Sequence, residues 1–553
     1  MTQRAGDAIV RSLETHDIRR LYCVPGESYL TLLDALFDAQ QIETIICRHE
    51  SGAGFMALAE AKITGTPGVF AVSRGPGATN GAIALHVAEQ DATPLICLIG
   101  QVSRREKGRG AFQEMDYHKF FGSVCKAVFE PDQADQVPEV FAQAFVIAQT
   151  GTPGPVVISL PEDMLGDVCN ADIDPPMTLP KTDLPQKQQA ELLKLLAVSQ
   201  RPLIIAGNQM RPGRAKRALA EFAEHHQIPV ACGWKAQDVF DNTHALYAGH
   251  IGFAAPPAQR EILGKADLVI AMGTRLGDIT SMNYTLLEAP NPKQPLVHVY
   301  NDTGPIDKVF KANLGIVCDP ADLLESLNKD DVDAAVTPER AQWRAEIKTF
   351  VDGFMAFNSG VPEDGVDFGS VVTCLAGLTP PDTVVVTDSG NFSSWVHRYW
   401  RLGAQNTMLG AIGGAMGFGV PGAVAVSLAA PERCVVCVVG DGGMLMTGQE
   451  LATAVRYGAR PKIILSDNGI YGTIRTHQEK RFPNRVSGTD LTNPDFSQWA
   501  ASFGVQVFTI ELGDDVETKL QSALDHDGAS FIHVKSSKEA ISAFTTLSAL
   551  RGR

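Results

Sequence analysis

Two neighbouring stretches, CVVCVVGDGG at residues 434–443 and KIILSDNG at residues 462–469, decide the fold of this part of the chain. Each is an apolar run that ends in glycine and acidic or amide residues, which is typical of a buried parallel strand. The residues between them follow a helical pattern, which predicts a strand–helix–strand unit with its two strands side by side. Asp441 and Asn468 should then lie together at the carboxyl edge of a sheet, where open α/β sheets bind ligands.

The residue types at this predicted edge suit a divalent cation and a phosphate. Mg²⁺ prefers hard oxygen ligands in octahedral geometry and commonly shares them with phosphate groups. Asp441 offers a carboxylate and Asn468 an amide oxygen, while Gly442 and Gly443 let backbone N–H groups approach a phosphate. An N-capping aspartate in a glycine-rich turn is the simpler alternative. Asn468 at the matching strand end favours the metal and phosphate hypothesis.

Outward from this unit, short apolar strands alternate with helical patterns. Strands that are apolar on both faces predict parallel sheets covered by helices. We therefore expect an α/β protein of three consecutive doubly wound domains with mainly parallel sheets: residues 1–170, a Rossmann-like central domain at 190–330, and 365–553. Residues 171–190, which are polar and carry prolines, and residues 331–366, which include a helical pattern, are predicted to link them. The predicted strands are RRLYCV, ETIICR, GVFAVS, PLICLIG and GPVVISLP in the first domain, PLIIAG, ADLVIAMG and QPLVHVY in the second, and TVVVTDSG, CVVCVVGDG, KIILSDN and FIHVKSS in the third.

Charge and composition argue against two classes of partner. The 553-residue chain carries a formal net charge of −16, which disfavours binding to nucleic acid and to anionic membranes. The uncharged stretch 408–429 is long enough to span a membrane, but its glycines and proline favour a buried segment that approaches a ligand closely. The first residues lack the apolar core of a signal peptide, so we expect a cytoplasmic protein.

The glycine–aspartate and asparagine motifs resemble the signature of the thiamine-diphosphate enzyme superfamily, G-D-G followed after a helix and a strand by N-N. Here Asp467-Asn468 stands in place of N-N, so the departure falls on the first position. The resemblance implies thiamine diphosphate as coenzyme, with Mg²⁺ held by Asp441, Asn468 and the backbone carbonyl of Ile470. It also implies a pyrimidine-binding first domain and a diphosphate-binding third domain. The residues expected near the diphosphate are Gly442, Gly443, Tyr471, Gly472, Ser389, Gly390 and Asn391.

The resemblance also covers the glycine-rich, uncharged stretch. In the family, one residue of such a stretch lies between the two coenzyme rings and holds them in a bent conformation. Met416 in GGAMGFG matches that residue, and the carbonyl of Gly414 is then expected to accept a hydrogen bond from the coenzyme 4′-amino group. Simple core packing is the alternative for a methionine.

A carboxyl group that activates the coenzyme is expected in the first domain. Thiamine chemistry needs a carboxyl group that hydrogen-bonds the pyrimidine N1′, and a glutamate in a dry pocket can share a proton in this way. Glu50 ends the predicted strand TIICRHE and opens an apolar helix. A surface pair with Arg48 is the alternative, but the metal motif favours the catalytic role.

The same resemblance implies an oligomer. In the family, the pyrimidine-binding and diphosphate-binding domains meet across a subunit interface. Glu50 would then face the Mg²⁺ site of a partner chain. A homodimer is the minimum expected, and a homotetramer also fits.

Several further segments resemble the acetolactate-synthase branch of the superfamily: SRGPGATN, GRGAFQEMD, MGFGVPGA, NPDF and GPVVISLPED. This resemblance implies that Phe112 and Gln113 face the substrate. It also implies a small-molecule 2-oxo acid, or another ketone or aldehyde, as substrate. The expected reaction is decarboxylation with joining of the product to a second carbonyl.

Three residues depart from that branch. Glu27 stands where glycine is usual, and is either a second acid–base group or a glutamate paired with a helix end. Arg74 replaces a serine and either binds a substrate carboxylate or pairs with Glu27. Glu162 stands where the branch usually has lysine. His118, His250 and His477 are candidate proton donors, although each alone is better explained as structural.

Other functions remain open on the sequence alone. MGTRLGD resembles part of an FAD site, whereas RPLIIAGNQM lacks the usual glycine run, so the pattern does not favour FAD. A flavin-dependent 2-oxo-acid oxidase and a decarboxylase without ligation are the alternative enzymes. A non-catalytic binding protein is the least favoured, since Glu50, Asp441 and Asn468 are intact.

Overall fold

The computed structural model describes residues 3–179, 183–253, 255–329 and 337–552. It contains three six-stranded sheets whose strand pairs are all parallel, with helices between the strands. Both faces of each sheet are covered; the adjacent residues Leu21 and Tyr22, for example, lie in two separate apolar clusters. The predicted fold class, three doubly wound α/β domains, is therefore confirmed.

The N-terminal sheet has the strand order β2-β1-β3-β4-β6-β5. Its strands are β1 Arg20–Cys23, β2 Glu43–Ile46, β3 Gly68–Ser73, β4 Leu95–Gln101, β5 Ala127–Phe129 and β6 Pro155–Pro161. Its helices are α1 Ala5–Thr15, α2 Leu30–Asp38, α3 Glu50–Thr64, α4 Arg74–Asp91, α5 Tyr117–Phe121 and α6 Val137–Gln149.

The central sheet has the order β12-β11-β10-β7-β8-β9. Counted from the other edge this is 3-2-1-4-5-6, the order of the Rossmann fold, as expected for this domain. Its elements are α7 Gln186–Val198, β7 Pro202–Ala206, α8 Gly213–His226, β8 Val230–Cys232, β9 Tyr247–His250, α9 Pro257–Leu263, β10 Leu268–Met272, β11 Leu296–Tyr300, β12 Leu314–Val317 and α10 Pro320–Leu327. The long helix α11, Pro338–Met355, follows.

The C-terminal sheet has the order β14-β13-β15-β16-β18-β17, which repeats the N-terminal order strand for strand. Its strands are β13 Val384–Thr387, β14 Thr407–Leu409, β15 Val435–Gly440, β16 Lys462–Asp467, β17 Gln506–Ile510 and β18 Ser530–Lys535. Its helices are α12 Phe368–Leu378, α13 Ser393–Tyr399, α14 Gly419–Ala429, α15 Asp441–Thr447, α16 Leu451–Tyr457, α17 Gly472–Arg481, α18 Phe496–Ala501, α19 Val516–Asp525 and α20 Leu547–Leu550.

All predicted strands are present, and six further strands were not predicted: β5, β8, β9, β12, β14 and β17. Five of these six lie at sheet edges; the exception is β8, which lies between β7 and β9. An edge strand has a neighbour on one side only and is often short or half-exposed, so it lacks the continuous apolar run that marks a central strand.

The segments between the domains contain little strand structure. The predicted link at 171–190 ends in the first turn of α7, and its residues 180–182 lie outside the described part of the chain. The second link, 331–366, contains α11 as expected, while its residues 331–336 also lie outside the described part. The uncharged stretch 408–429 forms a strand, a loop and the buried helix α14, and no helix among the described residues is long and apolar enough to cross a membrane.

Candidate active site

A single cavity of about 890 Å³ lies at the carboxyl edge of the C-terminal sheet and extends to the central domain. Every residue that the sequence predicted to hold the metal, the diphosphate or the bend between the coenzyme rings lines it. These residues are Ser389, Gly390, Asn391, Gly414, Met416, Asp441, Gly442, Gly443, Asn468, Ile470, Tyr471 and Gly472.

Asp441 is held at the centre of this edge. It is the first residue of α15, directly after β15, whose residue Gly440 pairs with Ser466 of β16. One carboxylate oxygen accepts hydrogen bonds from the N–H of Gly469 (2.8 Å) and the amide of Asn493 (2.8 Å). The other accepts from the N–H of Gly442 (2.9 Å). Burial raises the pKa of this carboxyl group.

Asn468 and Ile470 lie across from Asp441 at the end of β16. The amide oxygen of Asn468 accepts from the N–H of Ile470 at 3.3 Å. Two backbone hydrogen bonds fix the following turn. The N–H of Tyr471 donates to the carbonyl of Thr489 (2.9 Å), and the N–H of Leu491 donates to the carbonyl of Gly469 (2.8 Å). The edge therefore offers carboxylate, amide and carbonyl oxygens, a donor set that fits Mg²⁺.

The departure from N-N, Asp467, does not line the cavity. Its carboxylate accepts from Nε2 of His533 (2.8 Å) and from the amide of Asn493 (2.8 Å). Burial alone would raise the pKa of Asp467, but these hydrogen bonds outweigh it and lower the pKa. The amide of Asn493 thus joins Asp467 to Asp441. The sequence motif NPDF contains Asn493 but gave no indication of this role.

The end of the cavity where the diphosphate is expected is shaped by close backbone approaches. A Cβ on Gly442 would lie 2.4 Å from the ring of Tyr471, so only glycine fits between them. Asn391 accepts from the hydroxyl of Thr473 (3.0 Å) and donates to that of Thr476 (3.0 Å). These contacts hold the loop after β13 against the start of α17, and both segments line the cavity.

Asp388 positions the loop that contains Met416, a role that the sequence motifs did not indicate. Its buried carboxylate accepts from the N–H groups of Gly417 (2.9 Å) and Gly419 (3.1 Å). Burial raises the pKa of Asp388. The ammonium group of Lys235 contacts the hydroxyl of Ser389 at 3.2 Å, and burial lowers the pKa of Lys235 to about 8.

Glu50 lies at the carboxyl edge of the N-terminal sheet. It is the first residue of α3, and its Oε2 accepts from the amide of Asn80 on α4 at 2.9 Å. Glu50 does not line the 890 Å³ cavity, and neither do the other predicted catalytic residues, Glu27, Arg74, Phe112 and Gln113. In the single chain, therefore, the predicted catalytic and coenzyme-binding residues belong to two separate sheet edges.

The three departures from the acetolactate-synthase pattern meet at Arg74. The buried guanidinium of Arg74 pairs with Glu162 (2.8 Å) and with Glu27 (3.0 Å). Of the two alternatives for Arg74, pairing with Glu27 is the contact observed, and the pair with Glu162 was not foreseen. The Glu27 side chain itself is 70% exposed. Arg74 has a φ of +46°, in the left-handed region.

Phe112 and Gln113 lie on a loop over the start of α4. The carbonyl of Gln113 accepts from the N–H of Gly75 at 3.0 Å, and Gln113 has a φ of +65°. Phe112 is 76% exposed. Since the ring contacts solvent in the single chain, its expected role in facing the substrate would require a neighbouring subunit or a ligand.

The two edges are joined within the chain by Glu450. Its buried carboxylate accepts from the N–H groups of Arg48 (3.0 Å) and His49 (3.1 Å), which immediately precede Glu50. Burial raises the pKa of Glu450. A carboxylate of the C-terminal domain therefore holds the turn that presents Glu50, and helices α3 and α14 pack together beside it.

The strand-end loops of the central sheet contact the first domain. Asn208, after β7, donates to the carbonyl of Asp91 (2.6 Å). Arg275, in the MGTRLGD segment after β10, donates to the carbonyl of Glu89 (2.8 Å). These loops flank the point where the strand order reverses, which is the usual nucleotide position in such sheets. Part of that edge is therefore occupied by contacts between domains.

Comparison with known proteins defines the class. Residues 3–120 match the thiamine pyrophosphate enzyme, N-terminal TPP binding domain. Residues 189–327 match its central domain, and residues 388–534 its C-terminal TPP binding domain. The fold and the cavity are thus those of a thiamine-pyrophosphate enzyme.

Relatives extend the similarity over almost the whole chain. The chain is 31% identical over 531 residues to the acetolactate synthase isozyme 2 large subunit of Escherichia coli, covering 95% of this chain and 94% of the relative. It is 32% identical over 531 residues to an acetolactate synthase of Mycobacterium bovis (93% and 85%). A probable acetolactate synthase large subunit of Methanocaldococcus jannaschii is 31% identical over 535 residues (94% and 90%). The chain belongs to the thiamine-pyrophosphate enzyme family that includes these synthases.

Proposed function

We propose that this thiamine-diphosphate enzyme depends on Mg²⁺, removes CO₂ from a 2-oxo acid and joins the remaining acyl unit to the carbonyl of a second molecule. Each turnover would release one CO₂, take up one proton and form one carbon–carbon bond. Names of the relatives support the carboligation, since all three are acetolactate synthases. The proposed enzyme has three domains, at residues 1–170, 190–330 and 365–553.

The observation that carries the proposal is the composition of the 890 Å³ cavity. It gathers Asp441, Asn468 and the Ile470 backbone at one end, and Gly414 and Met416 at the same site. We assign the first three to Mg²⁺ and through it to the coenzyme diphosphate. We assign Met416 to the bend between the coenzyme rings, with its backbone held by Asp388.

Glu50 is assigned to the pyrimidine end of the coenzyme. When bound, thiamine diphosphate supplies a stabilised position for the electron pair that is left when CO₂ departs. The carboxyl group of Glu50 would hold a proton at the pyrimidine N1′. Since Glu50 does not line the cavity of its own chain, we propose that it serves the cavity of a partner subunit. The functional unit is then a homodimer at minimum, and two dimers would form a tetramer.

The test is a panel of 2-oxo acids with thiamine diphosphate and Mg²⁺. We expect CO₂ release together with a condensed hydroxyketone product, detected by mass spectrometry. CO₂ with aldehyde alone would refute the ligation step. Absence of CO₂ release from every acid, in protein that binds the coenzyme, would refute the proposed reaction as a whole.

A decarboxylase without ligation is the second candidate, and one observation favours it. Glu27 places an acidic side chain at the edge that carries Glu50, where the acetolactate-synthase branch usually has glycine. Such a group can donate the proton that releases an aldehyde. A Glu27→Gln variant that shifts product from aldehyde to condensed ketone would support this role. An unchanged product ratio would exclude it.

Oxidase activity with FAD is tested separately by the absorption spectrum of the purified protein. The central loops contact the first domain where a nucleotide would approach. We therefore expect no flavin bands in the range from roughly 350 to roughly 500 nm, where flavin cofactors absorb. Stoichiometric flavin with O₂ consumption would favour the oxidase.

A further inference from the structure

The cavity continues beyond the coenzyme residues into a space between the central and C-terminal domains. We call this space the annex. It is lined by Trp234, His250, Phe253 and Gln259 of the central domain and by His397 of the C-terminal domain. None of these residues is needed for the roles assigned to thiamine diphosphate or Mg²⁺.

Four polar atoms of the annex are buried and have no hydrogen-bond partner among the described residues. They are Nε1 of Trp234, Nε2 of His250, Oε1 of Gln259 and Nε2 of His397. Gln259 is 2% exposed and His397 is 7% exposed. Buried polar groups in proteins are nearly always bonded, because an unpaired one destabilises the fold. Four such atoms on residues that line one space favour a ligand there.

The ring geometry keeps these atoms in one group. The imidazoles of His250 and His397 are stacked, with centroids 4.8 Å apart and planes at 11°. The indole of Trp234 lies 5.6 Å from the first and 5.1 Å from the second. The Gln259 amide nitrogen donates to the carbonyl of His250 at 3.0 Å, which leaves its oxygen as an acceptor.

The hydrogen-bonding roles can be assigned atom by atom. The side-chain amide of Gln237 donates to the carbonyl of His397 (2.9 Å), so its oxygen accepts from Nδ1–H of His397. Nε2 of a neutral His397 is then an acceptor. Burial lowers the pKa of His250 to about 3 and that of His397 well below its usual value, which keeps both imidazoles neutral. The annex residues therefore include acceptors on His397 and Gln259 and a donor on Trp234. Two cations lie beside them, with Lys235 Nζ 5.7 Å from the Trp234 ring and the Arg398 guanidinium 4.9 Å from the Phe354 ring.

We propose that the annex binds an uncharged, hydroxyl-bearing part of the substrate, remote from the reacting carbonyl. A hydroxyl group can donate to an imidazole or amide acceptor and accept from the indole N–H at the same time. A carboxylate would meet two acceptors, while the cations beside the annex already have partners: Arg398 donates to the carbonyl of Phe354 (2.9 Å) and Lys235 contacts Ser389 (3.2 Å). Apolar walls from Phe253, Phe350 and Phe354 suit the carbon chain that carries the hydroxyl.

The annex and the coenzyme residues share one cavity, so one substrate could reach both. The loop after β8 connects them directly: Trp234 lines the annex, and the neighbouring Lys235 contacts Ser389 at 3.2 Å. Gln237, three residues on from Trp234, orients His397. This inference names a substrate class for the proposed decarboxylation and rests on that function for its kinetic test only.

The first test measures binding without turnover. Calorimetry on the enzyme loaded with thiamine diphosphate and Mg²⁺ compares hexanoate with 6-hydroxyhexanoate, which share a chain length and lack the reacting ketone. We expect the hydroxy acid to bind about threefold to tenfold more tightly, the value of one added neutral hydrogen bond. Trp234→Phe removes the indole N–H but keeps an aromatic ring, and should bring the two affinities together.

The matched control is Trp343→Phe. Trp343 is also buried in the central region, but its N–H donates to the carbonyl of Pro202 (3.0 Å), away from the cavity. The preference for the hydroxy acid should persist in this variant. Equal binding of both acids to the wild-type enzyme would overturn the proposal. So would a crystal structure in which a flavin or water alone satisfies the four atoms with 6-hydroxyhexanoate present.

The second test uses 2-oxohexanoate and 6-hydroxy-2-oxohexanoate as substrates. The wild-type KM should be about threefold to tenfold lower for the hydroxy acid, and Trp234→Phe should move the KM ratio towards one with similar kcat values. Equal KM values in the wild type would contradict the annex. If neither acid is consumed but 6-hydroxyhexanoate still binds more tightly than hexanoate, the proposed decarboxylation is wrong while hydroxyl binding in the annex is supported.

Discussion

The N-terminal and C-terminal domains have the same strand order but different residues at the carboxyl edge. The third strand in chain order is β3 in one and β15 in the other. Arg74 follows β3 and pairs with two glutamates, whereas Asp441 follows β15 and faces an open cavity. The fold therefore supplies two equivalent edges, and a few strand-end residues make one of them an ion-paired cluster and the other the wall of a cavity.

The largest effect is expected from Glu50→Gln. If the N-terminal edge supplies only the proton chemistry, kcat should fall by about 10²–10⁴-fold, the usual contribution of such a group. Coenzyme affinity, measured by calorimetry with Mg²⁺, should stay within about threefold. Glu43→Gln makes the same change at the exposed start of β2 and should leave kcat unaltered. Normal turnover in Glu50→Gln would contradict the assigned role.

Asp441→Ala should show the opposite pattern, with loss of coenzyme binding. Removing a direct metal ligand should weaken Mg²⁺-dependent binding by roughly 100-fold or more, beyond the effect of removing a supporting partner. Asp467→Asn is the matched neighbour, which restores N-N at a residue outside the cavity. The new amide oxygen can still accept from Asn493, so the coenzyme affinity should fall by about tenfold at most, the lower end of the effect of losing a supporting partner. Equal losses in both variants would break the metal assignment.

Glu450→Ala tests the contact between the two edges. The change removes a fully buried side chain and leaves the partly buried N–H groups of Arg48 and His49 without their acceptor, so the free energy of unfolding should fall by about 2–4 kcal/mol. Glu450→Gln keeps an acceptor oxygen and should lose less. Glu432→Ala, an exposed change in the same domain, is the control for urea denaturation. A loss below about 0.5 kcal/mol in Glu450→Ala would refute the contact.

The pH dependence of stability is expected to report His397. Burial lowers its folded-state pKa, while the unfolded-state pKa stays near the usual value, so the unfolded chain binds more protons below pH ~6.5. Stability should therefore decrease as the pH falls, by about 2 kcal/mol at pH 5 for this one residue. Urea denaturation at pH 7.5 and pH 5 should show a smaller difference in His397→Gln. If the stability difference between pH 7.5 and pH 5 is the same in His397→Gln as in the wild type, burial does not lower the pKa of His397 in the folded protein.

The smallest effect concerns the pair that distinguishes the N-terminal edge. A double-mutant cycle of Arg74→Ala and Glu162→Ala should give a coupling energy of about 1 kcal/mol, because both side chains are mostly shielded from solvent. The exposed pair Arg460 and Asp527 should give a smaller coupling. A coupling indistinguishable from zero for Arg74 and Glu162 would mean that the two departures do not compensate each other.

The central parts of the fold were predictable because their signals are local. Strands such as β15 and β16 are apolar on both faces, and the helix between them requires parallel pairing. This pairing is enough to place Asp441 and Asn468 at one edge from the sequence alone. Edge strands such as β14 and β17 were missed, since half-exposed or short strands carry weaker patterns.

The supporting residues of the site were harder to predict. Asp388, Asn493 and Glu450 act through hydrogen bonds to distant backbone or side-chain groups. Glu450, for example, accepts from Arg48, which lies 402 positions away in the chain. No local pattern distinguishes such a carboxylate from one in a helix cap. The pairing of Arg74 with Glu162 is similar, because each departure looked isolated until the fold brought them within 2.8 Å.

Short motifs and the alternation of apolar segments were enough to predict the fold class, the family resemblance and the residues expected around the coenzyme. The three-dimensional contacts were needed to see that the residues predicted to hold the metal and the diphosphate share one cavity, that Glu50 does not line it, and that four residues of the annex carry buried polar atoms without partners. Those facts depend on contacts between segments hundreds of residues apart, where geometry and burial, not local pattern, determine which groups meet.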